Sequence, residues 1–240
     1  IAVLSTGWSV YRTGDWPGFA LNFGTEMAGA IVTYLLLEIV IGTRQKKDLL
    51  ISQLTSKSTD ISINAIEEII RNDWHRDGSL NSLNLYKINL PGVDINNVSF
   101  ENSDLRKGNF QNSSLRNANL SWVALQVSNL MGADLSFSDF SNASLEDAVL
   151  IGARIRLANL TETQMNKANL QNADLQDSCL QDADLHDADL RGVNLKNVNL
   201  QGAILINAIY NNKTIFPDGF NPIGAGMVEV EKPEDLMYFA

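Results

Sequence analysis

The dominant pattern in this chain is an apolar residue at every fifth position. All 27 positions from 80 to 210 whose numbers are multiples of five carry an apolar side chain, most often leucine. A period of five matches neither the 3.6-residue repeat of an α-helix nor the two-residue repeat of a β-strand, so no straight element buries this column. The pattern therefore predicts a chain that turns every five residues, as a solenoid does.

A second column, two residues before the first, favours small side chains, and Asn or Asp commonly separates the two. Residues 168–175, for example, read Ala-Asn-Leu-Gln-Asn-Ala-Asp-Leu. Four five-residue sides close a square of twenty residues, so each central side chain stacks on the one twenty places later, at about the strand spacing of 4.8 Å. Two inward residues in every five fit such a narrow, close-packed interior only if one is small.

This pattern resembles the pentapeptide-repeat family, whose members form right-handed quadrilateral β-helices. The resemblance implies an all-β solenoid for residues 80–210 and no particular activity, because the family's members differ widely. The first repeats depart from the pattern, so we expect the first coil to be wider or irregular. Larger residues replace the small one at Leu83, Ile88, Val93 and Val98.

The period ends after position 210. Residues 211–240 are expected to form a closing turn and a tail, with Phe216 and Phe220 covering the far end of the core. Residues 227–230 could add one strand.

An apolar run at residues 19–42 is long enough to cross a bilayer core as a helix. Aromatic residues precede the run, and Arg44, Lys46 and Lys47 follow it, as at a membrane helix whose carboxyl end is cytoplasmic. The sequence predicts a transmembrane helix here, with residues 1–18 as an external segment or the remnant of an earlier span. The alternative is a buried helix of a soluble protein.

One face of this predicted helix is rich in small residues, which lets another helix approach closely. The candidate packing face comprises Gly24, Thr25, Ala28, Gly29 and Thr33. Glu26 and Glu38 lie within about two turns of the ends of the run, so we expect their carboxylates to reach towards the headgroups. Acids at mid-bilayer would instead indicate an ion path or a helix partner.

Residues 43–79 are predicted to form a juxtamembrane helix and an N-terminal helical cap. An apolar stripe at helical spacing includes Ile63, Ile66 and Ile69, and Thr59 or Asp60 is the expected N-cap of this helix. Solenoids need such caps because their first coil would otherwise expose the core. A membrane helix, a short helix and Trp74 followed by Asp-Gly-Ser-Leu resemble a group of bacterial membrane-anchored pentapeptide-repeat proteins.

The charge balance is acidic, with 28 Asp and Glu against 18 Lys and Arg and a formal net charge of −10. This balance makes nucleic acid an improbable partner, because proteins that bind it usually show a basic patch. Some pentapeptide-repeat proteins protect DNA gyrase by imitating duplex DNA, and the acidic band at residues 174–189 raises this alternative. Its acids span less than one coil, so they encircle the rod and form no lengthwise, phosphate-like track.

The sequence contains no recognisable catalytic motif. It has one cysteine, Cys179, and two histidines, His75 and His186, in no spacing typical of a zinc site. Gly-rich phosphate loops and nucleophile elbows are also absent from the sequence. We therefore expect no enzyme activity, no cofactor and no metal.

Apolar residues that point outward give the clearest indication of a partner site. Positions twenty apart should stack, which places Met131 beside Ile151 and Phe137 beside Leu157. The alternative is that the chain's own terminal segments cover them.

The sequence as a whole predicts a non-enzymatic protein of the bacterial cytoplasmic (inner) membrane, with its repeat domain on the cytoplasmic side. It would serve as an accessory subunit that binds other membrane protein subunits or a second copy of itself.

Overall fold

A computed structural model describes residues 16–231 of the chain. The chain divides into two compact units, one ending at Leu49 and the other beginning at Leu50. The elements in chain order are α1 (Trp16–Gln53), α2 (Thr59–Arg71), β1 (Ile209–Tyr210) and β2 (Val228–Glu229). Most of the predicted external segment and the end of the predicted tail lie outside the described residues.

Helix α1 carries one segment long and apolar enough to cross a membrane. This segment, Met27–Gln53, reaches a mean hydropathy of 1.5 over an 18-residue window, and none of that window is buried. The Thr33 hydroxyl donates to the Gly29 carbonyl at 2.9 Å, and the Thr43 hydroxyl donates to the Ile39 carbonyl at 2.8 Å. These threonines therefore satisfy their hydroxyl groups within the helix.

Helix α2 is amphipathic, and its buried face presents Ala65, Ile66 and Ile69. It starts one residue earlier than the sequence indicated, since Ser58 is the N-cap. At its end, Asp73 adopts a left-handed φ of 58° and the Trp74 N–H donates to the Ile69 carbonyl at 3.0 Å. The Asp73 N–H also donates to the Ile70 carbonyl, which completes a Schellman motif and satisfies carbonyls that the helix leaves free.

The repeat region forms a β-helix in which each coil takes twenty residues. Parallel bridges join outward residues twenty positions apart, from Asn84 with Asp104 to Asp189 with Ile209. In each bridge the backbone bonds run both ways: the Leu85 N–H donates to the Asp104 carbonyl, and the Asp104 N–H donates to the Leu83 carbonyl, both at 2.8 Å. The bridges begin in the first coil, so the pairing there is as regular as in later coils despite the larger inward residues.

A two-residue turn closes each five-residue side. The second turn residue has a left-handed φ, from 54° at Asn117 to 74° at Gly202. The following small residue donates its N–H back across the turn, as Ala118 does to the Leu115 carbonyl at 3.2 Å. This geometry is that of a type II turn, which explains why Asn, Asp and Gly hold most of these positions.

The central column forms one continuous hydrophobic core, and Leu200 is its only partly exposed member. Leu54 and the buried face of α2 belong to the same cluster, so α2 covers the end of the first coil. The rings of Phe100 and Phe110 lie 6.5 Å apart between centroids. Space for the Phe110 ring comes from Gly108, where an added Cβ would lie 2.9 Å from a ring carbon.

The far end of the core is closed by a change in pairing. Asn194 pairs with Ile215, which is 21 positions later, and the side chains of Asn211 and Thr214 accept the Gly192 N–H at 3.0 and 3.1 Å. Strand β2 then pairs in parallel with β1. An aromatic stack covers the end, with centroid distances of 5.3 Å between neighbours in the series Tyr210, Phe216 and Phe220.

Candidate interaction surfaces

The small-residue face on α1 is exposed at every position whose burial the structure describes. Thr25, Ala28, Gly29 and Thr33 are exposed, and Gly24 also lies within the helix. A Cβ added at Gly29 would meet no atom within 4 Å. The Thr33 hydroxyl already donates to the Gly29 carbonyl, and the side chains on this face are small. Another helix can therefore pack closely against it.

Two of the outward apolar residues occupy left-handed turn positions. Phe137 and Leu157 have φ values of 64° and 56° and are 47% and 49% exposed. They lie at the same corner of successive coils, and the Phe137 N–H donates to the Arg156 carbonyl at 2.9 Å. Bulky side chains rarely adopt this conformation, so each of these residues carries a conformational cost that Asn or Gly would avoid.

Met131 and Ile151 form the second stacked pair, at the neighbouring corner. Both are half-buried, and the Gly132 N–H donates to the Ile151 carbonyl at 2.9 Å. The Gln111 side-chain amide lies 3.8 Å from the Met131 sulfur. This pair is therefore less accessible than the pair formed by Phe137 and Leu157.

An ion cluster centred on Asp134 lies on the side between the two corners. Arg116 and Arg154 approach the Asp134 carboxylate at 3.1 and 3.2 Å, and the Ser136 hydroxyl donates to it at 2.6 Å. Burial alone would raise the pKa of Asp134, but hydrogen bonds from Ser136, Arg116 and Arg154 outweigh it and lower the pKa. The two apolar pairs and this cluster are called the corner surface below.

The sequence interpretation missed two further apolar residues at the same kind of turn position. Trp122 is 61% exposed with a φ of 58°, and Val127 is 52% exposed with a φ of 61°. The signal was present in the sequence, because the column two residues after each central residue is otherwise dominated by Asn, Asp and Gly. Reading that column for bulky residues would have found both.

The acidic band at residues 174–189 is largely paired. Asp174 and Asp177 lie 3.8 and 3.9 Å from Arg156. Asp184 lies 2.7 Å from His186, and Asp189 lies 2.5 Å from Arg191. The hydrogen bond that Arg191 donates to Asp189 raises the pKa of Arg191. Carboxylates that are paired and confined to one coil resemble the phosphates of duplex DNA only weakly.

His75, in the segment after α2, is buried. The Arg76 Nε donates to His75 Nε2 at 3.1 Å, and His75 Nδ1 is buried without a hydrogen-bond partner. Burial first, and the Arg76 charge second, lower the pKa of His75. The His75 carbonyl accepts the Ser99 N–H at 2.9 Å, which ties this segment to the first coil. The residue therefore has a structural position.

Among residues 16–231 no group of three or more His, Cys, Asp or Glu side chains is arranged to hold a metal ion. Cys179 is half-buried in the outward column, 3.5 Å from the Thr161 hydroxyl. The candidate functional features of these described residues are therefore exposed surfaces.

Coils of twenty residues, paired in parallel and filled by one central column, define a β-helical repeat protein. A family model described as pentapeptide repeats matches the chain in eight copies, at residues 84–121, 128–166 and 168–207. The chain therefore belongs to the pentapeptide-repeat family.

Several solved pentapeptide-repeat structures are similar to this chain. QnrB1, a plasmid-mediated fluoroquinolone resistance protein, is 14% identical, and the alignment covers 66% of this chain and 92% of QnrB1 with a TM-score of 0.47. Rfr23 from the cyanobacterium Cyanothece 51142 is 24% identical over 62% of this chain and 99% of its own, with a TM-score of 0.32. A pentapeptide repeat protein from Nostoc Pcc 7120 is 36% identical over 38% and 84%, with a TM-score of 0.23. A comparison with curated proteins found no match.

Proposed function

We propose that this chain is a non-enzymatic scaffold protein of a bacterial cytoplasmic membrane. Helix α1 anchors it, and the β-helix lies on the cytoplasmic side, where it binds other subunits of a membrane protein assembly or a second copy of the chain. The coil is taken as right-handed, because crossovers between parallel strands nearly always are. The observation that carries the proposal is the corner surface, where bulky apolar residues occupy positions that suit Asn or Gly.

Support for the anchor comes from α1. Its apolar window is unburied, and Arg44, Lys46 and Lys47 follow it, which matches the excess of basic residues on the cytoplasmic side of membrane helices. The small-residue face, which includes Gly29 and Thr33, is where a partner's membrane helix would pack. A signal sequence is the competing interpretation of α1, and it predicts cleavage of the chain.

Support for the scaffold comes from the cost of Phe137 and Leu157. A left-handed conformation costs a residue with a side chain on the order of 1 kcal/mol, and Asn, Asp or Gly makes most of the other turns of this kind. The β-helix does not need these two side chains, because they pack outside its core. Exposed apolar groups retained at a cost to the fold favour a binding role.

The test uses the full chain produced in a bacterium and extracted with a gentle detergent. We expect it in the membrane fraction, resistant to alkaline wash and uncleaved, with a native mass larger than one chain. The double variant Phe137→Asn and Leu157→Asn should shift the native mass to the monomer. A matched control, Glu162→Asn and Lys167→Asn, changes two left-handed turns outside the corner surface and should keep the complex.

A monomeric wild-type chain under these conditions would contradict the scaffold, and release by alkaline wash would contradict the anchor. Imitation of DNA is not part of this proposal, because the acidic band is confined to one coil and largely paired.

A further inference from the structure

A groove of about 570 Å³ lies between the loop that joins α1 to α2 and the first two coils of the β-helix. The loop contributes Thr55, Ser56 and Lys57 to its lining. The coils contribute Tyr86, Lys87 and Lys107, together with two asparagines and an isoleucine. Three lysines and no carboxylate therefore line this groove, in a chain whose formal net charge is −10.

Lys87 and Lys107 occupy the same corner of successive coils. Both have a left-handed φ, 63° and 58°, and the Lys87 N–H donates to the Arg106 carbonyl at 2.9 Å. Their backbones are thus separated by about one strand spacing, 4.8 Å. Like charges stacked at this distance destabilise a sheet, so the arrangement costs the fold free energy.

The lysine charges of the groove have no acidic partner in the described part of the chain. Within residues 16–231, neither Lys57 nor Lys87 nor Lys107 forms an ion pair. By contrast, the neighbouring Arg106 is paired with Asp104 at 2.6 Å. The chain therefore neutralises the arginine beside the groove and leaves the lysines that line it available to an anion from outside.

Tyr86 lies at the centre of these cations. Lys87 Nζ is 5.3 Å from the ring centroid, and the Arg106 guanidinium and Lys107 Nζ are each 5.9 Å from it. Contacts of this kind are attractive but leave the ammonium charge in place. The Tyr86 ring therefore holds Lys87 and Lys107 close together without neutralising their charges.

Hydrogen bonds between the coils and α2 hold the asparagine side of the groove. The Asn89 amide donates to the Thr59 hydroxyl at 2.5 Å, and the Asn109 amide donates to the Asn89 side-chain oxygen at 2.8 Å. These bonds fix the loop end of the groove against the first coil. The lysines are thus presented on a preorganised wall, which reduces the entropy lost on binding.

We propose that this groove binds a phosphate-bearing anion, either a free phosphate or diphosphate group or the headgroup of an anionic phospholipid. Lysine ammonium groups bind phosphate as point charges, and a concave site lined by one sign of charge concentrates anions of the opposite sign. Two stacked lysines and a third from the loop suit a compact group with more than one negative charge. This site is separate from the corner surface and does not depend on the scaffold role.

The test is lysine footprinting of the full chain in phospholipid nanodiscs, with acetylation at each lysine read by mass spectrometry. One arm adds inorganic pyrophosphate to phosphatidylcholine nanodiscs, and the other replaces part of the phosphatidylcholine by phosphatidylglycerol. We expect slower acetylation of Lys57, Lys87 and Lys107 in at least one arm, and no change at Lys167 and Lys196. Protection only by pyrophosphate assigns a soluble ligand, and protection only by phosphatidylglycerol assigns a headgroup.

Variants then test the same residues. In the arm that protects, Lys87→Gln with Lys107→Gln should weaken binding by about tenfold, since two nearby charges are lost. Lys167→Gln with Lys196→Gln is the matched control and should bind as the wild type does. Equal protection of all lysines, protection in neither arm, or unchanged binding by the groove variant would each overturn the proposal.

Discussion

The guanidinium of Arg116 lies over the ring of Phe137, 5.1 Å from its centroid, and the same side chain donates to Asp134 at 3.1 Å. An exposed ring is therefore held from one side by a cation that is itself fixed by a carboxylate. Rigid aromatic groups lose little entropy on binding, which makes them effective anchors in interfaces. The ring of Phe137 is therefore already held in place in the free chain, which suits the binding role proposed for the corner surface.

Replacing the corner residues should separate stability from binding. Leu157→Asn is expected to raise the free energy of unfolding by up to about 1 kcal/mol, because Asn tolerates the left-handed turn. Phe137→Asn gains the same relief but loses the contact with Arg116, worth about 0.5–1 kcal/mol, so its stability should change little. Urea denaturation measures both, and a loss of more than about 1 kcal/mol for Leu157→Asn would show that the turn is not strained.

The packing of Gly108 against Phe110 predicts a coupled pair. Gly108→Ala should lower the free energy of unfolding by about 1–3 kcal/mol, because the added methyl meets the Leu105 carbonyl oxygen and the Phe110 ring. In a Phe110→Leu background the loss from Gly108→Ala should be smaller, and a double-mutant cycle measures this coupling. Gly152 has a left-handed φ of 64° with no atom within 4 Å of an added Cβ. Its change to Ala is the control and should show no coupling to Phe110.

Two inward serines should respond oppositely to the same substitution. The Ser113 hydroxyl donates to the Leu90 carbonyl at 2.6 Å, whereas the Ser128 hydroxyl is buried without a partner. Ser113→Ala should cost about 1 kcal/mol, and Ser128→Ala should stabilise by about 1–2 kcal/mol, because it removes an unsatisfied polar group. Thermal and urea denaturation of both variants measure the difference, and the same sign for both would contradict this assignment.

His75 should make the protein less stable in mild acid. An unfolded histidine titrates near pH 6.5, whereas burial and Arg76 lower the pKa of His75 in the fold. Below about pH 6.5, His75 therefore binds a proton in the unfolded chain but stays neutral in the folded chain. As a result, the free energy of unfolding falls as the pH decreases towards the pKa of His75 in the fold. Urea denaturation between about pH 7.5 and 5 measures the slope.

His75→Gln is expected to reduce this slope. If the slope survives His75→Gln unchanged, another group causes it.

Much of the β-helix could be predicted from the sequence, because the two inward columns each reflect one requirement of a narrow core. Leu170 and Ala168 are buried where the period places them, and pairing at twenty residues follows from four equal sides. The regularity of the first coil was not predictable in this way. Larger residues such as Ile88 join the cluster that includes Leu54 and Ile66 of the cap, so the end of the coil is filled without distortion.

The surfaces were harder to predict, since their chemistry depends on which residues the corners bring together. Stacking of Phe137 and Leu157 follows from the twenty-residue period, but the ion cluster at Asp134 joins three different coils. The lysine groove was missed because Lys57 is thirty positions from Lys87. Only the path of the loop after α1 brings these two side chains to one site.

The pairing of each residue with the one twenty places later determines how this chain could change length. Inserting one five-residue repeat after residue 140 would move every later side chain to the next corner, so Phe137 would stack on Gly152 and no longer on Leu157. Inserting four repeats would add one coil of about 4.8 Å and return every later residue to its original face. Growth by whole coils would preserve the orientation of these surfaces, whereas growth by single repeats would rotate one end of the protein against the other.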